Sequence, residues 1–202
     1  MADHTPPTNS LEDVPGKRNI PYERTFSETF DVLVGRDDNQ QLFTVHHDII
    51  TRQSKFFRQA RSSLWNSDKS VPVELQHADP QIFDMYLHCV YHHDVLEFTG
   101  DALTEPELRF EASIDLYVLA DSILDFTTAD LAIEEIRWIR HAQGFPEAGV
   151  INYAYRNTMA DCALRNALVD IYVEATRLPD GDFPNAFLRS VVEKQMYRRH
   201  GE

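Results

Sequence analysis

The fifteen residues from Phe43 to Phe57, reading FTVHHDIITRQSKFF, constrain the fold of this chain more than any other stretch. Phe43 and Val45 alternate with Leu42 and Thr44 in the period-two pattern of a half-buried strand, and the period changes at the paired histidines His46 and His47. A helix is predicted from there, with Ile49, Ile50 and Gln53 on a narrow stripe. Ser54 stands where it can cap a second helix whose first turn carries Phe56 and Phe57. A strand end and two short helices fill the run, so it describes a scaffold. Ser54 has no Gly-x-Ser-x-Gly frame around it and reads as a cap, not a nucleophile.

Around this run the chain divides by composition. Residues 1–22 hold Pro6, Pro7, Pro15 and Pro21 among polar residues and read as a disordered tail. Phe26 and Phe30 lie four apart, a spacing that would place both on one face of a helical turn anchoring the tail. A helix through Leu64 and Trp65 should give way to an exposed loop at Asn66–Ser70. Between Val95 and Glu111 an acidic stretch reads as a surface connection that opens with a short strand, Val95–Phe98. Thr127 or Thr128 can cap a helix that stops at Gly144-Phe145-Pro146. The remainder is predicted to be helical over about 147–157, 160–176 and 184–199, the middle helix opened by a capping box at Thr158–Asp161. Leu164, Leu168, Ile171 and Tyr172, and again Phe187, Leu188, Val191 and Val192, give these helices apolar faces that must be buried on one another or on the preceding body.

The central run resembles the BTB/POZ family, whose pattern of a strand Phe, a His followed by Lys or a similar residue, a Leu or Ile, a Ser and a Phe or Tyr before a Phe falls on Phe43, His46, His47, Ile50, Ser54, Phe56 and Phe57. Asp31-Val32-Leu33-Val34-Gly35 resembles the family's opening strand, paired in a hairpin across Arg36–Gln41, where Asp37-Asp38-Asn39 supplies turn chemistry. Val71–Leu75 resembles its third strand, Asp79–Phe83 its capped helix start, Tyr91 its hallmark tyrosine, and Leu116–Asp121 its Leu-x-x-Ala helix. The resemblance covers about residues 26–140 and is nearest to fungal BTB-domain proteins with a helical C-terminal extension. It implies an α+β fold, a small three-stranded sheet with helical hairpins over 26–140, followed by an all-helical extension over 145–200 packed on it.

A formal charge of −14 argues against nucleic-acid and anionic-membrane partners, because both need a basic surface to neutralise phosphate. No apolar run approaches the length of a membrane span, and the N-terminus lacks the order of a signal peptide, so a soluble intracellular protein is expected, with cytoplasm and nucleus left open. Cys89 and Cys162 sit among apolar neighbours and imply no disulfide.

For chemistry, His88 with His92 and Cys89 with His93 are spaced four apart on a helix, as zinc ligands can be. The two pairs point along different angles and no further pair accompanies them, so they read as helix-end residues complementing the dipole. Glu134-Glu135 and Asp37-Asp38 are adjacent and cannot share a proton as a catalytic dyad must. No phosphate loop, Cys-x-x-Cys or His-Glu-x-x-His is present. A non-enzymatic role without cofactor is therefore expected.

The resemblance implies protein partners and a homodimer formed through Phe26, Phe30, Asp31, His46, His47 and Ile50. His47 departs from the family's usual Lys or Arg at the position that pairs with the strand Asp, which implies weaker and pH-dependent association, and His46 is expected as a structural helix-start residue. A second implied role is adaptor for a cullin scaffold, through Leu64, Trp65 and Asp68, although the family's glutamate is missing there. A metal-binding role through the helix-end histidines is the third.

Overall fold

The computed structural model describes residues 28–62, 71–95, 106–173, 175 and 180–200. Three strands form a sheet: β1 (Thr29–Val34), β2 (Gln41–His46) and β3 (Val73–Leu75). β1 lies in the middle, antiparallel to β2 and parallel to β3. Phe30, Val32 and Val34 of β1 alternate into the core with Phe43 and Val45 of β2, the pleat repeat that makes one face of the sheet apolar. Val32 faces both Phe43 and Val73 across the ladders.

The hairpin between β1 and β2 needs Gly35. Its φ is +91°, and a Cβ there would stand 2.3 Å from the Asn39 carbonyl oxygen, so any other residue would be strained and would collide with backbone. Asp37–Asn39 close the turn as one 3-10 turn, with Asp37 in the left-handed region.

The two short helices read from the central run follow at once, α1 (His47–Gln53) and α2 (Lys55–Ala60). Ser54 is fully buried between them and its oxygen accepts the Phe57 N–H at 3.2 Å, the cap expected from sequence. Its hydroxyl also donates to the carbonyl of Ile123 at 2.6 Å. The amides of Lys55 and Phe56 donate to Leu124 and Ile123 at 3.3 Å each. The N-terminus of α2 thus abuts the C-terminus of α4 (Pro106–Ser122), and the unpaired groups of two helix ends satisfy each other.

α3 (Pro80–His92) begins as expected, with Asp79 accepting the Gln81 N–H at 2.8 Å and Pro80 at the first helical position, and ends on left-handed His93. α4 is described from Pro106, inside the stretch expected to be a surface connection, so residues 106–111 are helix. The expected strand Val95–Phe98 lies outside the described residues beyond Val95. Phe30 belongs to β1, so the helical turn expected to align it with Phe26 does not extend to it, because its side chain is claimed by the sheet core.

α4 turns through left-handed Leu124 into α5 (Phe126–Gln143), capped by Asp125 and not by Thr127 or Thr128. The fully buried Asp125 carboxylate accepts the Thr128 N–H at 3.1 Å, the Thr128 hydroxyl at 2.9 Å and the Tyr86 hydroxyl at 3.1 Å. Burial, with the Asp125 carboxylate next, pushes the Tyr86 phenol well above its ordinary range. A second buried pair, Arg109 to Glu135 at 2.7 Å, ties α4 to α5 beneath the face of Trp138.

Three further helices complete the chain, α6 (Ala148–Asn157), α7 (Ala163–Val173) and α8 (Asn185–His200). The capping box expected at Thr158–Asp161 does not form: α7 starts at Ala163, Asp161 is left-handed, and the Thr158 hydroxyl donates backwards to the Ala154 carbonyl. Arg165 decides this. Its guanidinium lies over the Tyr155 ring and donates to the carbonyls of Tyr155 and Thr158, closing the C-terminus of α6 with a cation. Tyr172, Phe183 and Phe187 pack edge to face or stacked, with ring centroids 5.1–5.8 Å apart. The Tyr172 hydroxyl donates to the Pro146 carbonyl. α6 packs on α4, and the buried side chains of sheet and helices form one continuous cluster.

Candidate interaction surfaces

The residues expected at a dimer interface gather at one end of the β1–β2 ladder, where Thr29 faces His46, Phe30 faces Val45 and Asp31 faces Thr44. Ile50 is 1% exposed and belongs to the core, as does Phe30, which leaves Asp31, His46 and His47 half-buried at the surface. Phe26, Leu64, Trp65 and Asp68 lie outside the described residues.

Asp31 accepts the Thr44 hydroxyl across the ladder at 2.7 Å. The expected partner of Asp31, the residue after the signature histidine, turns elsewhere: the His47 Nδ1 lies 2.9 Å from Asp48 and its ring edge faces Phe30. The cation near Asp31 is Arg61, which lies 4.4 Å from the Phe30 ring centroid and donates to the Asp31 and Val71 carbonyls at 3.3 and 3.0 Å. Burial lowers the Arg61 pKa while Asp31 opposes the shift. His46 sits at the start of α1 without capping it through its side chain. Its backbone N–H donates to the Tyr91 hydroxyl at 3.2 Å, and its Nδ1 stands 2.8 Å from that oxygen. Tyr91 and His46 thereby pin the end of α3 to the end of β2.

At this same end of α3 the His88 and His92 rings stack, centroids 4.5 Å apart, so their faces meet each other. Cys89 points into the core, and burial, then Asp94, pushes its thiol up to about 12, which disfavours the thiolate a metal needs. Among the described residues no three His, Cys, Asp or Glu side chains converge on a metal position.

A concavity that no sequence pattern announces lies on another side of the molecule. It is an open groove of about 460 Å³ between α2, the turn after β3, the start of α3 and the outer face of α4. Phe56, Leu75, Ile82, Val118, Leu119 and Ile123 form its apolar floor. Three carboxylates stand around that floor, Glu74, Asp79 and Asp115. The Asp115 carboxylate receives the Tyr153 hydroxyl of α6 at 2.5 Å. Burial holds its pKa above the ordinary carboxylate range, against the pull of that hydrogen bond. An apolar floor with acidic walls suits a protein segment that offers aliphatic or aromatic side chains beside a cation. No side chain in it is placed as a nucleophile with a base, so its capacity is for recognition. Sequence periodicity marks the buried faces of helices, but the half-buried Ile82 and Val118 reveal a groove only once their helices are set apart in space.

No helix among the described residues is long and apolar enough to cross a membrane. The family model of the BTB/POZ domain matches residues 22–109. Searches of curated proteins and of solved structures return no match. The matched span ends just inside α4, and with the three-stranded sheet and its helices it gives an α+β BTB/POZ fold followed by a helical C-terminal extension. The BTB/POZ domain is a protein–protein interaction module.

Proposed function

We propose that this chain, whose residues 22–109 match the BTB/POZ domain, is a non-enzymatic protein-interaction module that pairs with itself and offers the acidic apolar groove to a protein partner. The single observation behind this reading is the open groove of about 460 Å³ on a domain of an interaction family. Half-buried Phe56, Ile82 and Val118 are the side chains that an incoming segment would cover.

Self-pairing uses the end of the β1–β2 ladder, with Asp31, His46 and His47 at its surface. Light scattering coupled to size exclusion across about pH 5.5 to 8 tests this: a two-fold species is expected, whereas a monomer at high concentration throughout would end the self-pairing reading. A pulldown with the N-terminal region of a cullin is the companion measurement. Retention by the native protein and loss on filling the groove with Ser122→Arg would identify a ligase adaptor.

A further inference from the structure

The last helix carries a surface that complements the groove. α8 holds four arginine or lysine residues, Arg189, Lys194, Arg198 and Arg199, against the single acid Glu193, in a chain whose formal charge is −14. Its inward face, with Phe187 and Val191, is buried on the neighbouring aromatic cluster. Val192 and Met196, one turn apart on its outward face, are 51% and 56% exposed. Arg189 precedes Val192 by three positions and Arg199 follows Met196 by three, so the apolar pair is bracketed by arginine positions at the same phase of the helix. Tyr197 adds an aromatic ring, 81% exposed, at the flank of this stripe. The stripe from position 189 to 199 is about 15 Å long.

We propose that the groove binds α8 of a second copy of this chain. The inference rests on the reading of the groove as a docking surface and names its occupant. Val192 and Met196 enter over Leu75, Ile82 and Val118, and Arg189, one turn before them, faces the carboxylates of the groove, Glu74, Asp79 and Asp115. Each carboxylate keeps acceptor capacity for this. Glu74 receives the Gln76 amide on one oxygen, Asp79 uses one oxygen on the α3 amides, and Asp115 receives the Tyr153 phenol on one. Within one molecule the stripe is fixed to the α6–α7 layer and the groove opens beside α2 and β3, so the partner is another copy. Because helix and groove are different surfaces, the contact is head to tail and extends beyond a pair, unlike a two-fold contact that closes on itself. Net charges of like sign do not forbid it at physiological ionic strength, where screening within about 8 Å leaves contact-range complementarity in force.

Two surface variants test the assignment in the full chain. Met196→Asp spoils the helix stripe, and Ser122→Arg, at an exposed position on the groove wall, spoils the groove. In sedimentation velocity the native protein should grow with concentration past a dimer. Either variant alone should stop at the two-fold dimer, or at monomer if the self-pairing proposed above fails, with head-to-tail affinity lowered about tenfold or more, the scale of losing an interface anchor. A mixture of the two should recover one contact between an intact groove and an intact helix, seen as a new complex at equal proportions. Native protein that never exceeds a dimer, variants that assemble like the native protein, or a mixture that forms no new complex would each overturn the assignment. So would a synthetic peptide of residues 185–200 that binds anionic phosphatidylserine vesicles but not the native protein.

Discussion

Asp125 has no solvent contact and receives three hydrogen bonds, so Asp125→Ala removes a helix cap and abandons two buried hydroxyls in one step. Loss of the N-cap costs about 1 kcal/mol within a range of 0.5–2. Leaving a buried donor unsatisfied costs about 1–3 kcal/mol, and Tyr86, fully buried, has no route to water. With the Thr128 hydroxyl added, the expected destabilisation is about 3–6 kcal/mol, a large part of the 5–15 kcal/mol that holds a typical domain folded. Urea unfolding followed by circular dichroism measures it as a lower midpoint at an unchanged slope. A double-mutant cycle isolates the cause. Tyr86→Phe alone should cost about 1–2 kcal/mol, and in that background Asp125→Ala should cost about 1 kcal/mol less than in the native chain, because no phenol remains to be orphaned. An Asp125→Ala cost below about 1 kcal/mol, or an identical cost in both backgrounds, would refute the coupling of Asp125 to Tyr86.

Two further predictions concern titratable groups. The Asp115 carboxyl has a folded-state pKa above its unfolded one, so its favourable contribution is complete below the unfolded value and is lost as pH rises through the folded value; Asp115→Asn, which keeps an oxygen for Tyr153, should therefore be the more stable form at neutral pH, with the difference closing on acidification in pH-dependent urea unfolding. An advantage that grows on acidification would contradict this sign. Cys89, buried and with its thiol pushed up to about 12, should resist iodoacetamide in the native protein while half-buried Cys162 is alkylated first, as read by peptide mass spectrometry with and without urea.

What could be read from sequence follows from what is local. The Ser54 cap, the Phe43 and Val45 alternation and the Asp79 helix start are set by neighbours within four residues, and all three stand as expected. Asp125 was missed as a cap because left-handed Leu124 decides where α5 starts, and that turn is fixed by packing of α4 on α5. Thr158–Asp161 has the letters of a capping box, yet Arg165, seven residues beyond Thr158, donates to the Thr158 hydroxyl and to the carbonyls of Tyr155 and Thr158. The helix over residues 106–111 is hidden in sequence by the acidic composition of that stretch, which is the composition of a surface connection. The groove lies where α2, β3, α3 and α4 fail to meet, and no single segment records the distance between its neighbours.

The joint between Ser54 and the Ile123 carbonyl also orders events in time. Its two ends are 69 residues apart in the chain. At a synthesis rate of about 5–20 residues per second, α2 leaves the ribosome roughly 3–14 s before the helix end that receives it. During that interval the amides of Lys55 and Phe56 have only water, and the Phe56 ring has no α4 beside it. The first half of the molecule is therefore a waiting nascent chain with one helix end unsatisfied, and the step that finishes it is closure of a long loop, the slow kind of contact in folding.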